Sequence, residues 1–567
     1  MTGYRLRAYV LVLMLAGCAQ APSGSDGVRE VPATSAAGSG SQVPGLQAAL
    51  PRSEVVNAAI DQPMETRDAW RLLDQGTFGP RLDDAQGMSG EDVNAWIDAQ
   101  MALPVTWMLP ALRGRNGSRW NTQVNVWWEQ SVMAEDQLRQ RVAFALSQIF
   151  VVSGKSGLGG EQEGIANYYD LLLRHAFGNY RQLIEAITLN PVMGEYLSMK
   201  GNSKPDPARN IRPDENYARE LLQLFSIGLE QLNPDGTPRL DGDGVPLPTY
   251  DQDVVEGFAH VFTGWHFANA ESFVWPKNED YLAPMRAWPE YHDSGEKRLL
   301  NGAIVPAGQA PEQDLAMALD NVAAHPNVGP FLARQLIQRL VTSNPTAEYV
   351  RDVAAVFDAN AAGERGNLGS TIKAILAHRE AREGHLLQPT VFGKVREPLL
   401  RVTQLWRAFR PDRFPAEFNY AWAENELAQA PLNAPSVFNF FRPDFSQPGV
   451  VSAADLVSPE FEILDESSMV TLTSRLTGSS LWNHNYKTRT NGTTVTLNID
   501  REVALAGDTE ALLDHLDMTL LGGRMSVLLR DETRRLVQAR SRSSDPALPV
   551  SEAIFLITTS PEAAIQR

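Results

Sequence analysis

The sequence has only one cysteine, Cys18, in 567 residues. No disulfide can form within the chain, so stability must come from a packed core, which a chain of this length readily supplies. Basic charge is also scarce. Lysine and arginine number 50 against 68 acids, giving a formal net charge of -18 and a pI near 5.1. Such a balance argues against a nucleic-acid partner, because phosphate backbones need a basic footprint. No second long apolar run follows the N-terminus, so nothing downstream is expected to span a membrane. A Gly-x-Ser-x-Gly nucleophile elbow is missing, and so is any His-x3-His pair. Gly154-Lys155-Ser156 ends like a phosphate loop, but the earlier glycine that motif needs falls at Ile149, inside a helical pattern. No fixed-period repeat occurs, which removes the solenoid architectures.

What is present begins with an address. Arg5 and Arg7 precede an apolar stretch, Ala8 to Ala16, that is too short for a transmembrane helix. It runs into Leu15-Ala16-Gly17-Cys18, which resembles a bacterial lipobox. The expectation is a lipoprotein signal peptide over 1–17 and lipidation of Cys18, including a palmitate-class acyl group. Several acyl chains together anchor a protein stably to a bilayer. Ala19 after the cysteine fits sorting to the outer membrane, on its periplasmic or surface face. Residues 18–64 are rich in Ala, Gly, Ser and Pro and offer few large apolar groups, so they read as a flexible tether.

From residue 65 to 567 the dominant period is helical. The expected fold is mainly α, one large multi-helical domain with a small β-hairpin or irregular insertion around 230–310. Helices are expected at 90–103, 121–153, 165–176, 179–189, 311–325, 326–341, 346–360, 367–378 and 459–475, with a short strand near 490–500. The stretch Arg212-Pro-Asp-Glu-Asn-Tyr-Ala-Arg-Glu through Gly228 reads as one helix. Pro213 falls in its first turn, Tyr217, Leu221, Leu224 and Phe225 form an apolar face, and Gly228 is a left-handed stop. Thr249 with Gln252 fits a capping box that opens another helix.

These segments, in order, are similar to a known family. Arg212 to Leu221, Phe262-Thr-Gly-Trp265, Tyr291-His-Asp293 with Lys297, Gly393-Lys-Val-Arg-Glu-Pro398, Ala434-Pro-Ser-Val-Phe438, Gly523-Arg-Met-Ser526 and the Thr559-Ser-Pro-Glu to Arg567 ending resemble the family catalogued as domain of unknown function 1800 (DUF1800). The resemblance implies an exported bacterial protein, with genes often placed beside a secreted sulfatase-like family. It implies no established activity. Many members carry a Trp/His-rich segment where this chain has Phe144-Ala-Leu-Ser-Gln-Ile-Phe150, so a histidine site is not expected there.

The candidate chemistry is sparse. Glu215, Glu220, His292 and Asp293 are the acid/base or metal candidates, since a divalent metal takes such nitrogen and oxygen ligands and activates water. Against that, Glu215 and Glu220 lie about 140° apart around a helix, and Glu215 can pair with Arg219. Asp235, Asp241 and Asp243, with Asp251 and Asp253 beyond, suggest calcium, although Gln252 stands where a calcium loop needs its chelating Glu, and turn chemistry explains the Asp/Gly content as well. Arg212, Asn216 and Arg219 are binding candidates. Lys394, Arg396 and Glu397 could hold an anion, or form a salt-bridged surface at a helix start. The expected role is binding or assembly with a co-exported, sulfatase-like partner at the envelope. The alternative is a metal-assisted hydrolase of envelope or extracellular polymer.

Overall fold

The computed structural model describes residues 63–115, 121–411, 413–416, 418–478 and 495–567, all within one compact unit, Arg52–Arg567. The expectations for Cys18, the signal peptide and nearly all of the tether lie outside the described residues. So does half of the expected 490–500 strand, and Val495 to Ile499 are not in a strand.

The architecture is mainly α, with three two-stranded antiparallel sheets among the described residues. These pair β1 (Trp265–His266) with β2 (Arg286–Ala287), β3 (Lys297–Arg298) with β4 (Ile304–Val305), and β5 (Lys394–Val395) with β6 (Ile565–Gln566). The third pair joins the chain's last described strand to a segment some 170 residues earlier, and no local pattern announces that pairing. The expected hairpin near 233–244 is a three-segment meander held by Arg239 N–H to Gln231 O (2.7 Å) and Leu247 N–H to Arg239 O (2.9 Å). Pro238, Pro246 and Pro248 stand at its bridge positions. Proline has no N–H to donate, so the bridges do not extend into a ladder.

Helix boundaries depart from expectation where side chains outcompete the helical ladder. The helix expected over 212–228 is confined to Asn216–Gln223. Asp214 is tied to Asn202 and accepts the Asn216 N–H at 2.8 Å, so Pro213 lies before the helix rather than in its first turn. At the other end, Ser226 Oγ donates to Leu221 O (2.5 Å) and the chain tightens into Gly228, at φ 71°. A Cβ there would come 3.1 Å from the Phe331 ring. The cap of the next helix, Gln252–Val261, is Asp251, which accepts from Val254 N–H. Thr249 instead donates to Gly228 O (2.6 Å) and stitches the two segments together.

The core is aromatic. Phe78 packs edge-on to Trp127 at 5.0 Å, and Trp128 meets Trp406 at 5.4 Å, a geometry that adds to area burial. Phe144 belongs to this cluster, 5.2 Å from Trp127. The 144–150 segment is therefore a packing element.

Candidate functional site

The 252–261 helix places the groups singled out in the sequence. Gln252, Glu256 and His260 recur every four residues along it, so they share one face. At its first turn the Gln252 amide donates to Glu215 (3.2 and 3.1 Å), whose carboxylate also holds Arg219 at 2.5 Å. At its last turn His260 Nδ1 meets Asp293 Oδ2. Eight residues of helix separate these two anchor points, about 12 Å of rise. Glu215 and Asp293 are thus fixed to opposite ends of one helix.

His292 and Asp293, adjacent in sequence, face different surroundings. His292 is 3% exposed; its Nε2 lies 3.0 Å from Asp314 Oδ2 and its Nδ1 2.9 Å from Thr263 O. The Thr263 hydroxyl already donates to His260 O, so each nitrogen of His292 faces an acceptor. Lys297 Nζ reaches the same Asp314 oxygen at 2.6 Å, and all three side chains are buried. Asp314 Oδ1 has no partner among the described residues. Asp293 is held from three directions instead. Its backbone N–H donates to Thr263 Oγ1 (2.9 Å), its Oδ1 accepts from Gly295 N–H (2.8 Å), and its Oδ2 takes His260. The hydrogen bond from His260 keeps the Asp293 carboxyl at about 2, below the usual carboxylate value. His260 is 30% exposed, and with Nδ1 committed to the carboxylate its Nε2 is the nitrogen that can accept a proton.

Glu220 faces a third environment. Its Oε2 is buried without a partner among the described residues, and burial raises its carboxyl above the ordinary value. Tyr196 and Tyr250, both pushed up to about 12 by burial, feel its charge. The four candidates therefore do not gather at one point: Glu215 and Asp293 are held at opposite ends of the helix, His292 turns inward to Asp314, and Glu220 feels the Arg219 that Glu215 holds. Their donors do not fit one ion, and no group of three or more His, Cys, Asp or Glu suited to a metal occurs among the described residues.

The calcium candidates take part in turns. Asp235 accepts from the Thr237 N–H and hydroxyl (3.0 and 2.6 Å), and Asp241 accepts from Asp243 and Val245 N–H (both 2.9 Å). Their carboxyls sit below the usual range because of those bonds. Arg212, Asn216 and Arg219 are exposed.

Lys394, Arg396 and Glu397 depart furthest from the sequence reading. They do not form a surface. They are 3%, 3% and 0% exposed, because β5 runs through the interior against β6. Lys394 Nζ meets Glu460 at 3.0 Å and Arg339 O at 3.0 Å. Glu397 Oε2 accepts from Gln148 and Gln429 (both 2.6 Å), and Arg396 forks onto Asp74. Charges this deep persist only when paired and hydrogen-bonded. Asp314, Glu460 and Asp74 escaped notice in the sequence because a single acid on an amphipathic helix reads as solvated. Only the fold supplies their partners.

A cleft of about 540 Å³ opens between residues 160–164 and 278–282. Its lining includes Glu161, Glu163, Glu279, Asp280 and Tyr281, together with Asn269 and Asn278. Burial and the charges of Glu279 and Glu195 raise the Glu161 carboxyl.

No curated protein and no solved structure matches the chain. The family described as "Protein of unknown function (DUF1800)" matches residues 71–565, nearly the whole described body, and the chain belongs to that family.

Proposed function

We propose that the protein is an envelope lipoprotein, held at the outer membrane through Cys18, whose helical body has a binding or assembly role with a co-exported, sulfatase-like partner. The observation that supports a binding role is the open acidic cleft at 160–164 and 278–282. There burial and the like charges of Glu279 and Glu195 act on Glu161, which a cationic partner segment would relieve, while Glu163 is already paired with Arg113 at 2.6 Å. The test is charge reversal in the cleft. Glu161→Lys with Glu279→Lys should abolish co-purification of the co-exported partner while the melting temperature stays unchanged. Undiminished co-purification removes the cleft from the reading. For the address, Cys18→Ala should release the protein into the soluble fraction, and continued membrane retention counts against lipidation.

A second reading, a metal-assisted hydrolase acting on envelope or extracellular polymer, is favoured by one geometry, the partly exposed His260 oriented by Asp293. A carboxylate on Nδ1 leaves Nε2 free to act as a general base. His260→Ala should then eliminate turnover of envelope polymer, and activity equal to wild type ends this reading. Elemental analysis of the purified protein tests the metal separately.

A further inference from the structure

The Arg379–Leu387 helix, absent from the sequence expectations, packs against Thr66–Gly76 and brings a set of unspent hydrogen-bond donors together. Arg71 is 7% exposed. Its Nη1 donates to Asp68 (2.9 Å) and Arg382 O (3.2 Å), its Nη2 to His385 Nε2 (2.8 Å), and its Nε has no partner among the described residues. Because the guanidinium can only donate, His385 Nε2 must accept, and the ring proton sits on Nδ1. That Nδ1 is buried and also has no partner among the described residues. Burial, with the charges of Arg71, Arg524 and Arg567, lowers His385 to about 4, so at neutral pH the ring is uncharged and Nδ1 remains a donor.

Arg524 reaches the same place from the far end of the chain. Gly522 and Gly523 turn in the left-handed region, at φ 63° and 77°, and a Cβ on them would strike the Trp70 ring or Arg67 at 2.6 Å. That close turn carries the Arg524 guanidinium over Trp70, 5.8 Å from its ring. Its Nε donates to Leu521 O (2.9 Å), and its Nη2 is buried with no partner among the described residues. Burial, then the charges of Arg396, Arg71 and Arg567, lower its guanidinium, and Asp74 opposes them. Arg382, on the same helical face as His385, has an Nε and an Nη1 that find no partner among the described residues.

The acids facing the group are already engaged. Asp68 serves Arg71, Asp74 is forked by Arg396, and Asp517 accepts the Met525 N–H at 2.9 Å. On a chain of net charge -18, guanidinium exceeds carboxylate here.

We propose that Arg71, His385 and Arg524, with Arg67 and Arg567 at the rim, form a binding site for a tetrahedral oxyanion of the phosphate or sulfate class. Such an anion accepts the N–H groups that the protein leaves unpaired and offsets the surplus positive charge. The site is separate from the acidic cleft and does not depend on the binding role assigned to it.

The experiment is melting of the full chain in increasing inorganic phosphate or sulfate, with chloride holding ionic strength constant. A parallel arm uses phosphatidylglycerol vesicles with the Cys18→Ala protein, so that the lipid anchor does not itself create association. Wild type should show a saturable rise in melting temperature, and Arg524→Gln should weaken the apparent affinity about tenfold or more. Arg535→Gln, at an exposed arginine paired with Glu532, should titrate like wild type. A response to vesicles alone identifies the oxyanion as a lipid headgroup. No response in either arm, or the same response in Arg524→Gln as in wild type, overturns the site. If Arg524→Gln does not fold, crystals of the wild-type protein soaked in tungstate decide. Metal-oxyanion density against Arg71 and Arg524 supports the site, and ordered water only refutes it.

Discussion

His292 and Asp293 are neighbours in the chain and opposites in environment. His292 turns inward to Asp314 and Lys297, where every side chain is buried and each contact substitutes for lost water. Asp293 turns outward to His260, where solvent screens the pair and the ring keeps one nitrogen free. The inner group resembles the Lys394–Glu460 network, and the outer resembles the Glu215–Arg219–Gln252 cluster. Identical residue types therefore serve two ends. Inside they fix which segments meet; outside they leave chemistry or contact available.

The largest effect is expected at the inner group. Asp314→Ala strands His292 and Lys297 without a carboxylate in the core, and urea denaturation should show a loss of ~3–5 kcal/mol. Replacing His292, Lys297 and Asp314 together with apolar residues of similar volume should recover most of that loss, since no charge is then stranded. Failure to recover would mean the group contributes more than its charge balance. At Asp74→Ala the stranded Arg396 still donates to Ala563 O at 3.1 Å. The expected cost is about 3 kcal/mol, the low end of the same range.

The outer pair should behave differently. Asp293 has a folded value of about 2 against an ordinary 3.8, a depressed carboxyl. Its contribution is therefore complete above the ordinary value and fades as pH falls from 3.8 toward about 2. Because the pair is partly solvated, that contribution stays below ~1 kcal/mol. Asp293→Asn should remove it, so the gap between variant and wild-type stability narrows on acidification; a gap that widens would contradict the assignment. The smallest effect belongs to Glu215→Gln, about 0.3–0.5 kcal/mol at low salt. It should shrink further as ionic strength rises, because exposed pairs are screened.

Much of the body was legible in periodicity. The helices at Pro311–Ala323, Val328–Leu340 and Ala347–Asp358 follow directly from their apolar spacing, since that face is what they bury. Boundaries were harder to read wherever a polar side chain captured the backbone, as Asp214 and Ser226 do at either end of the 216–223 helix. The candidate site was readable only as a set of residue types. Lys394, Arg396 and Glu397 have the composition of a solvated helix start, yet they are interior because β5 pairs with β6.

By itself the sequence determined the helical class, the single large body and the family motifs, because hydrophobic period and turn chemistry act over a few residues. Tertiary structure alone decided which charges are buried, which are paired and which donors remain unspent. Trp70 Nε1 donates to Thr519 O across 449 positions, and Arg396 meets Asp74 across 322. The physical reason is that a charge becomes structural only when its partner arrives as water leaves, and chain folding over hundreds of residues brings that partner.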